Sequence, residues 1–104
     1  MNTTESQALT RFAALSQETR LRIVRMLVVA GEPGLPAGVL AERLDASASR
    51  LSFHLTHLEH AGLVVSRREG RSIIYSAVYP ALTALVDFLK HDCCRGIEDN
   101  TDAK

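Results

Sequence analysis

The sequence predicts a mainly α-helical domain with one β-hairpin, in the order α-α-α-α-β-β-α. Apolar residues recur at helical spacing before residue 62 and after residue 80. Between these segments, two runs rich in valine, isoleucine and tyrosine flank a glycine-containing turn, as in a β-hairpin. The 104 residues have the length of one domain. We expect that domain to span residues 1–96, followed by a polar, flexible tail over residues 97–104.

The composition is that of an ordinary globular protein, with 46% hydrophobic and 23% charged residues. Arginines interrupt the longest apolar run, so no transmembrane helix is expected. The first residues lack the basic and apolar regions of a secretion signal, which predicts a cytoplasmic location. The net charge is zero, yet residues 46–77 are mildly basic and residues 92–104 are acidic. This distribution suits a protein that offers DNA one face only, or a solvated surface without a partner.

The first two helices are predicted from apolar spacing and end signals. The first runs from about Thr4 to Ser16, with Ala8, Leu9, Phe12 and Ala13 on one face. Ser16 is predicted to cap the second helix, which ends near Gly31. Its apolar face carries Leu21, Val24, Leu27 and Val28.

The next two helices are short and closely joined. Pro36 suits the first turn of the third helix, in which Leu40 and Leu44 face the core. Residues 45–47 form the turn, and Ser47 caps a fourth helix that runs to about Ala61 and ends at Gly62.

The hairpin strands are predicted over Leu63–Arg68 and Ser72–Val78, joined by a turn at residues 69–71. Pro80 then opens a last helix, which is expected to end near residues 94–96. Its apolar face carries Leu82, Leu85, Val86 and Leu89.

Two short helices, a three-residue turn and a basic hairpin together describe a winged helix-turn-helix, whose fourth helix lies in the DNA major groove. On that helix Leu51, Leu55 and Leu58 form the buried stripe. The opposite side carries Ser49, Arg50, Phe53, Thr56 and His57. Arg50 can bind guanine or phosphate, and Ser49 can bind phosphate. Phe53 can contact a thymine methyl group; the alternative is an ordinary amphipathic helix with Phe53 packed sideways.

Three arginines, Arg67, Arg68 and Arg71, bracket the hairpin turn. Their mutual repulsion favours contact with an anion, either phosphates or the minor groove. The alternative is a charged edge hairpin that resists aggregation.

Three segments resemble the ArsR/SmtB family of metal- and metalloid-responsive repressors: residues 15–27, 47–64 and 67–75. The resemblance extends over residues 8–92. It implies a homodimer, paired through the first and last helices, that binds an inverted repeat in double-stranded operator DNA. It places DNA contacts at Ser49, Ser52 and Phe53, to which the helical wheel adds Arg50 and His57. An enzyme is not expected, because no nucleophile–base pair, phosphate loop or cofactor motif is present.

Members of this family differ in where the inducer binds. The arsenic site of the third helix is absent, because Pro36 and Gly38 stand where its thiols belong. Asp87 and His91 alone do not reproduce the zinc site of the last helix. Three histidines recur at residues 54, 57 and 60. Their side chains point in directions too far apart to bind one ion, so they are interpreted as surface or phosphate-contacting groups.

The remaining candidate is the pair Cys93 and Cys94, the only cysteines of the chain. It resembles the adjacent pair of a subgroup of arsenic repressors, and soft thiolates select soft ions. Trivalent arsenic or antimony is therefore the expected inducer. Some of that subgroup carry a third cysteine, which this chain lacks, so a water, an external thiol, a partner cysteine or an organoarsenical that needs two thiols remains open. The alternatives are inert cysteines and a redox or persulfide sensor.

Overall fold

The computed structural model describes residues 3–97 and confirms the predicted winged helix-turn-helix. The helices are α1 (Glu5–Leu15), α2 (Glu18–Ala30), α3 (Ala37–Leu44), α4 (Ala48–His60) and α5 (Tyr79–Lys90). The strands are β1 (Leu35–Pro36), β2 (Val64–Glu69) and β3 (Ser72–Ala77). Apart from the exposed Ile97, the predicted tail lies outside the described residues. No helix within residues 3–97 is long and apolar enough to cross a membrane.

Side chains cap the first two helices. Thr4 and Gln7 form a reciprocal capping box at the start of α1. The Oε1 atom of Gln17 caps α2 by accepting from the backbone N–H of Arg20 at 2.8 Å. The predicted cap, Ser16, was wrong because its backbone N–H closes the end of α1 by donating to the carbonyls of Phe12 and Ala13.

The turn between α3 and α4 adopts the predicted helix-turn-helix connection. Asp45 ends α3 in the left-handed conformation, with φ of 53°. The Ser47 hydroxyl then accepts from the backbone N–H of Arg50 at 3.2 Å, which confirms Ser47 as the cap of α4. Gly62, with φ of 77°, follows the end of α4, as glycine does after many helices.

The sheet has the order β1-β3-β2 with antiparallel neighbours. Glu69 pairs with Ser72, so Gly70 and Arg71 form a turn that is one residue shorter than predicted. Strand β1, in which Leu35 pairs with Tyr75, was not predicted from the sequence. A two-residue strand that contains proline has neither the length nor the composition that predicts a strand.

The core combines every helix with the sheet. Its most completely buried large side chains are Ile23, Leu27, Leu40, Leu55, Leu58 and Leu63. The predicted buried stripe of α4 is confirmed, since Leu51, Leu55 and Leu58 are at most 3% exposed. The predicted core face of α2 was partly wrong, because Leu21 and Val28 are exposed and the stripe instead follows Arg20, Ile23, Val24 and Leu27.

The last helix is shorter than predicted. It ends at Lys90, before the cysteines, and His91 leaves the helical conformation with ψ of 134°. Asp92 and Cys94 have φ of 65° and 68°, which an α-helix cannot accommodate. Every residue from Val86 to Ile97 is exposed, so no packing within the domain extends the helix.

Candidate nucleic-acid interface and thiol site

The outer face of α4 presents all the residues that the sequence analysis assigned to DNA on this helix. Ser49, Arg50, Ser52, Phe53 and His57 are exposed. Phe53 is 63% exposed, so it is not packed sideways into the domain. Its ring contacts His54 and His57 edge-on, with centroids 5.3 and 6.1 Å apart. An exposed aromatic ring beside an arginine and two serines can make both apolar and polar contacts in a groove.

The inner face of α4 contains a polar contact that the sequence analysis missed. The Nη1 atom of Arg20 in α2 lies 3.1 Å from Nδ1 of His54. His54 is 7% exposed, so its assignment to the surface was wrong. The reason is its spacing: His54 lies three residues after Leu51 and four before Leu58, within the buried stripe. Burial, followed by the charges of Arg20, Arg50 and His57, lowers the pKa of His54 below its ordinary 6.5.

The wing, which is the hairpin of β2 and β3, divides the three arginines that were predicted to act together. Arg67 donates to the Pro33 carbonyl at 2.8 Å and to the Ser76 hydroxyl at 3.1 Å, and it pairs with Glu69 at 2.6 Å. Arg68 and Arg71 are exposed and have no side-chain partner within residues 3–97. Arg67 therefore fastens the wing to the loop before β1, whereas Arg68 and Arg71 are free to meet an anion.

Two further contacts hold the end of α4. The Ser66 hydroxyl of β2 donates to Glu59 at 2.9 Å, and Nε of Arg11 in α1 donates to the Ala61 carbonyl at 2.9 Å. Burial and the nearby Glu59 carboxylate raise the pKa of Tyr75, which keeps its hydroxyl neutral. The Ser66–Glu59 contact spans 7 residues of sequence and the Arg11–Ala61 contact spans 50. They fix α4 relative to α1 and the wing.

The two cysteines lie in exposed turns after α5. Their Sγ atoms are 3.0 Å apart, although neighbouring side chains on a regular helix point about 100° apart. The hydrogen bond with Cys94 raises the pKa of the Cys93 thiol. Asp92 pairs with Arg95 across this turn. Within residues 3–97 no cluster of three histidine, cysteine or acidic side chains is placed to hold a metal ion.

A soft ion can be held by this pair without a large rearrangement. Bonds of about 2.3 Å to one ion require the two sulfur atoms to lie within roughly 4 Å of each other. The observed separation of 3.0 Å is within that limit. The pair supplies two soft ligands, and further ligands would have to come from outside this segment.

Comparisons with known proteins agree with this architecture. Residues 15–67 match a family model described as a helix-turn-helix domain. The HTH-type transcriptional regulator YgaV of Escherichia coli is 38% identical over 85% of this chain and 87% of its own length. The transcriptional activator HlyU of Vibrio cholerae is 32% identical over 91% of this chain and 85% of its own.

Solved structures agree equally well. The structure of Vibrio cholerae HlyU superposes with a TM-score of 0.71 and 32% identity, covering 90% of this chain and 99% of that one. An ArsR-like transcriptional regulator from a Rhodococcus species has a TM-score of 0.72 and 36% identity, covering 82% and 77%. In the sequence comparison, the arsenic resistance transcriptional regulator ArsR1 of Pseudomonas putida is 33% identical over 73% of this chain and 57% of its own length.

Proposed function

This chain belongs to the ArsR/SmtB family of helix-turn-helix transcriptional regulators, and we propose that it is a dimeric repressor that releases its operator when trivalent arsenic or antimony binds Cys93 and Cys94. The family regulates transcription by binding DNA and is not a family of enzymes. The observation that carries the choice of inducer is the 3.0 Å separation of the two exposed sulfur atoms.

In the DNA complex, α4 occupies the major groove and the wing lies beside it. Ser49, Arg50, Ser52, Phe53 and His57 face the groove, since all are exposed on one side of α4. Arg68 and Arg71 bind phosphates or the minor groove. Arg67, which the sequence analysis grouped with them, acts on DNA through the wing that it holds in place.

A homodimer supplies the second recognition helix. Leu9 on α1 and Val86 and Leu89 on α5 are 54–69% exposed, which is costly for an isolated chain. Because α1 and α5 pack against each other, these side chains lie on neighbouring surfaces that a second copy can cover. Two copies related by a two-fold axis would place their recognition helices about 34–36 Å apart on an inverted repeat.

Arsenic binding acts on the end of α5, which is one of the two helices of the proposed dimer interface. A soft ion bridging both sulfur atoms ties residues 93 and 94 into one rigid ring. This restrains the turn after α5, and α5 contacts α1, which Arg11 joins to α4. A coupling of about 1–3 kcal/mol between the sites weakens DNA binding roughly 5–150-fold.

The names of two relatives support this proposal in part. ArsR1 of Pseudomonas putida is named for arsenic resistance, whereas HlyU is named a transcriptional activator. Regulation of arsenic resistance is therefore represented among the relatives, and repression is the part of the proposal that the name of HlyU does not share.

The test is release of DNA by arsenicals under reducing conditions. Protein bound to labelled DNA from upstream of its own gene is titrated with inorganic arsenite, methylarsenite and antimonite, and fluorescence anisotropy is recorded. We expect at least one trivalent species to release the DNA. Stronger release by methylarsenite than by arsenite would indicate that two thiols complete the site.

The Cys93→Ser/Cys94→Ser double variant is the matched control. It should bind the DNA as tightly as the unmodified protein and should not respond to arsenicals. Loss of DNA binding in this variant would make the pair structural. Release by peroxide or polysulfide without any response to arsenicals or antimonite would replace the proposal with the redox- or persulfide-sensing repressor. A reporter gene distinguishes repression from activation.

A further inference from the structure

Arg20 is a buried cation with no carboxylate partner within residues 3–97. It is 8% exposed and lies in the first turn of α2. Its Nε atom donates to the Ala14 carbonyl of α1 at 2.7 Å, and Nη1 contacts Nδ1 of His54 at 3.1 Å. One guanidinium therefore connects three helices, including the one assigned to the DNA groove. A buried charge of this kind is tolerated only while its hydrogen bonds are made.

The chemistry of the two groups fixes the direction of the Arg20–His54 hydrogen bond. A guanidinium has donors only and keeps its proton under all ordinary conditions. His54 must therefore accept at Nδ1, so its ring is neutral and carries its proton on Nε2. A second proton would place an N–H on Nδ1, where it would point at the guanidinium. The contact would then change from a hydrogen bond to a repulsion between two cations.

The charged groups that act on His54 do not stabilise its doubly protonated, cationic ring. The charged and titratable groups that act on its ring are Arg20 from α2, and Arg50 and His57 from α4 itself. All three are basic, and the Ala14 carbonyl of α1 already accepts a hydrogen bond from Arg20. Together with burial, these groups lower the pKa of His54 below 6.5. The hydrogen bond is therefore intact at neutral pH and is lost on acidification.

We propose that Arg20 is a positioning residue for DNA recognition, which sets the recognition helix by donating to neutral His54, and that protonation of His54 releases this contact and weakens DNA binding. Neither residue has to touch DNA. His54 precedes Leu55 and follows Phe53, so a ring that is pushed away from Arg20 moves both the buried stripe and the exposed face of α4. This effect of His54 protonation does not depend on the thiols. The proposal rests only on the DNA-binding activity of the family.

The decisive variant is His54→Asn. An asparagine amide oxygen can accept from Arg20 near the position of Nδ1, but it does not titrate. DNA affinity is measured by anisotropy from about pH 7.5 down to about pH 5, across the range in which histidine titrates. We expect the unmodified protein to lose affinity about tenfold on acidification, within the usual range of linked equilibria. The His54→Asn variant should bind normally at neutral pH and should lack this step.

His60→Asn is the matched control, because His60 is an exposed histidine of the same helix. The His60→Asn variant should lose DNA affinity on acidification as the unmodified protein does. Protonation of exposed histidines adds positive charge and tightens DNA binding. An affinity that rises on acidification equally in the unmodified protein and the His54→Asn variant would therefore overturn the proposal.

Arg20→Lys tests the other partner. Lysine keeps the charge but lacks the planar group that serves two acceptors at once. Circular dichroism confirms that the fold is retained, and we expect weaker DNA binding at neutral pH with a smaller acid step. An Arg20→Lys protein with unchanged affinity and an unchanged profile would contradict the positioning role.

A measurement on the unmodified protein covers the case in which variants do not fold. Nuclear magnetic resonance can follow the ring protons of His54 through a pH titration with and without DNA. Because linkage is reciprocal, DNA binding should lower the pKa of His54 further. A pKa of His54 that rises on DNA binding would refute the proposal.

Stability provides an independent readout. Because the folded-state pKa of His54 lies below its ordinary 6.5, the folded protein binds fewer protons than the unfolded chain at mildly acid pH. The stabilisation is thus complete above pH 6.5, and the free energy of unfolding falls as the pH drops below that value. We expect a shallower fall in the His54→Asn variant.

Discussion

The recognition helix α4 and the thiol segment, residues 91–97, differ in what holds their functional side chains. In α4, Leu51, Leu55 and Leu58 anchor the helix in the core, and contacts from α1, α2 and β2 fix its middle and its end. Every residue of the thiol segment is exposed, and its shape is set by local turns and the Asp92–Arg95 pair.

This difference suits the two tasks. A DNA-reading surface gains affinity when its side chains are already placed, because little freedom is then lost on binding. An inducer site has to change when its ligand arrives. A segment with positive φ at Asp92 and Cys94 and no buried side chain can be reshaped without disturbing the core.

The largest expected difference between α4 and the thiol segment lies in their contributions to the free energy of unfolding. Leu58 is fully buried, so Leu58→Ala should lower the free energy of unfolding by about 2–5 kcal/mol. The Cys93→Ser/Cys94→Ser protein should change it by less than about 0.5 kcal/mol, because both side chains are exposed. Urea unfolding followed by circular dichroism measures both. If the thiol variant lost as much free energy of unfolding as Leu58→Ala, the segment would have to pack against a part of the protein that stabilises the fold.

Two variants of the wing separate an arginine that holds the structure in place from one that is proposed to bind DNA. Arg67→Ala removes hydrogen bonds to Pro33 and Ser76, so it should lower the free energy of unfolding by about 1 kcal/mol. Arg68→Ala should leave stability unchanged and reduce the salt dependence of DNA binding by about one phosphate contact. Urea unfolding and salt-dependent anisotropy separate the two effects. The division of the wing would be wrong if Arg68→Ala destabilised the fold and Arg67→Ala did not.

The smallest expected effect lies in the thiol segment. The hydrogen bond that the Cys93 thiol donates to Cys94 raises the pKa of Cys93, so less of the reactive thiolate is present near neutral pH. Cys94→Ala should speed alkylation of Cys93 by a few-fold, most visibly below about pH 8.5, the ordinary thiol pKa. Mass spectrometry with iodoacetamide measures the rate. Cys94→Ser, which keeps a hydroxyl at that position, serves as the control and should have a smaller effect. Slower alkylation in the alanine variant would contradict the role of Cys94.

The sequence alone determined the features that depend on neighbours along the chain. Helical spacing predicted the buried stripe of α4, Ser47 and Gly62 marked its ends, and the glycine turn located the hairpin. Family resemblance then identified the type of protein. These signals persist because local capping, turn chemistry and periodic burial act over a few residues.

Tertiary structure decided the features that join distant parts of the chain. The Arg20–His54 contact spans 34 residues and the Arg67–Pro33 contact also spans 34. Neither histidine spacing nor arginine clustering predicted these partners, so His54 was assigned to the surface and Arg67 was grouped with Arg68 and Arg71. The buried face of α5 was likewise decided by packing. Apolar periodicity continues to Leu89, but only the folded domain shows that Ala81 and Leu85 are the buried residues of this helix. The helix continues past them to Lys90 with its side chains exposed, because burial, unlike periodicity, requires a second surface.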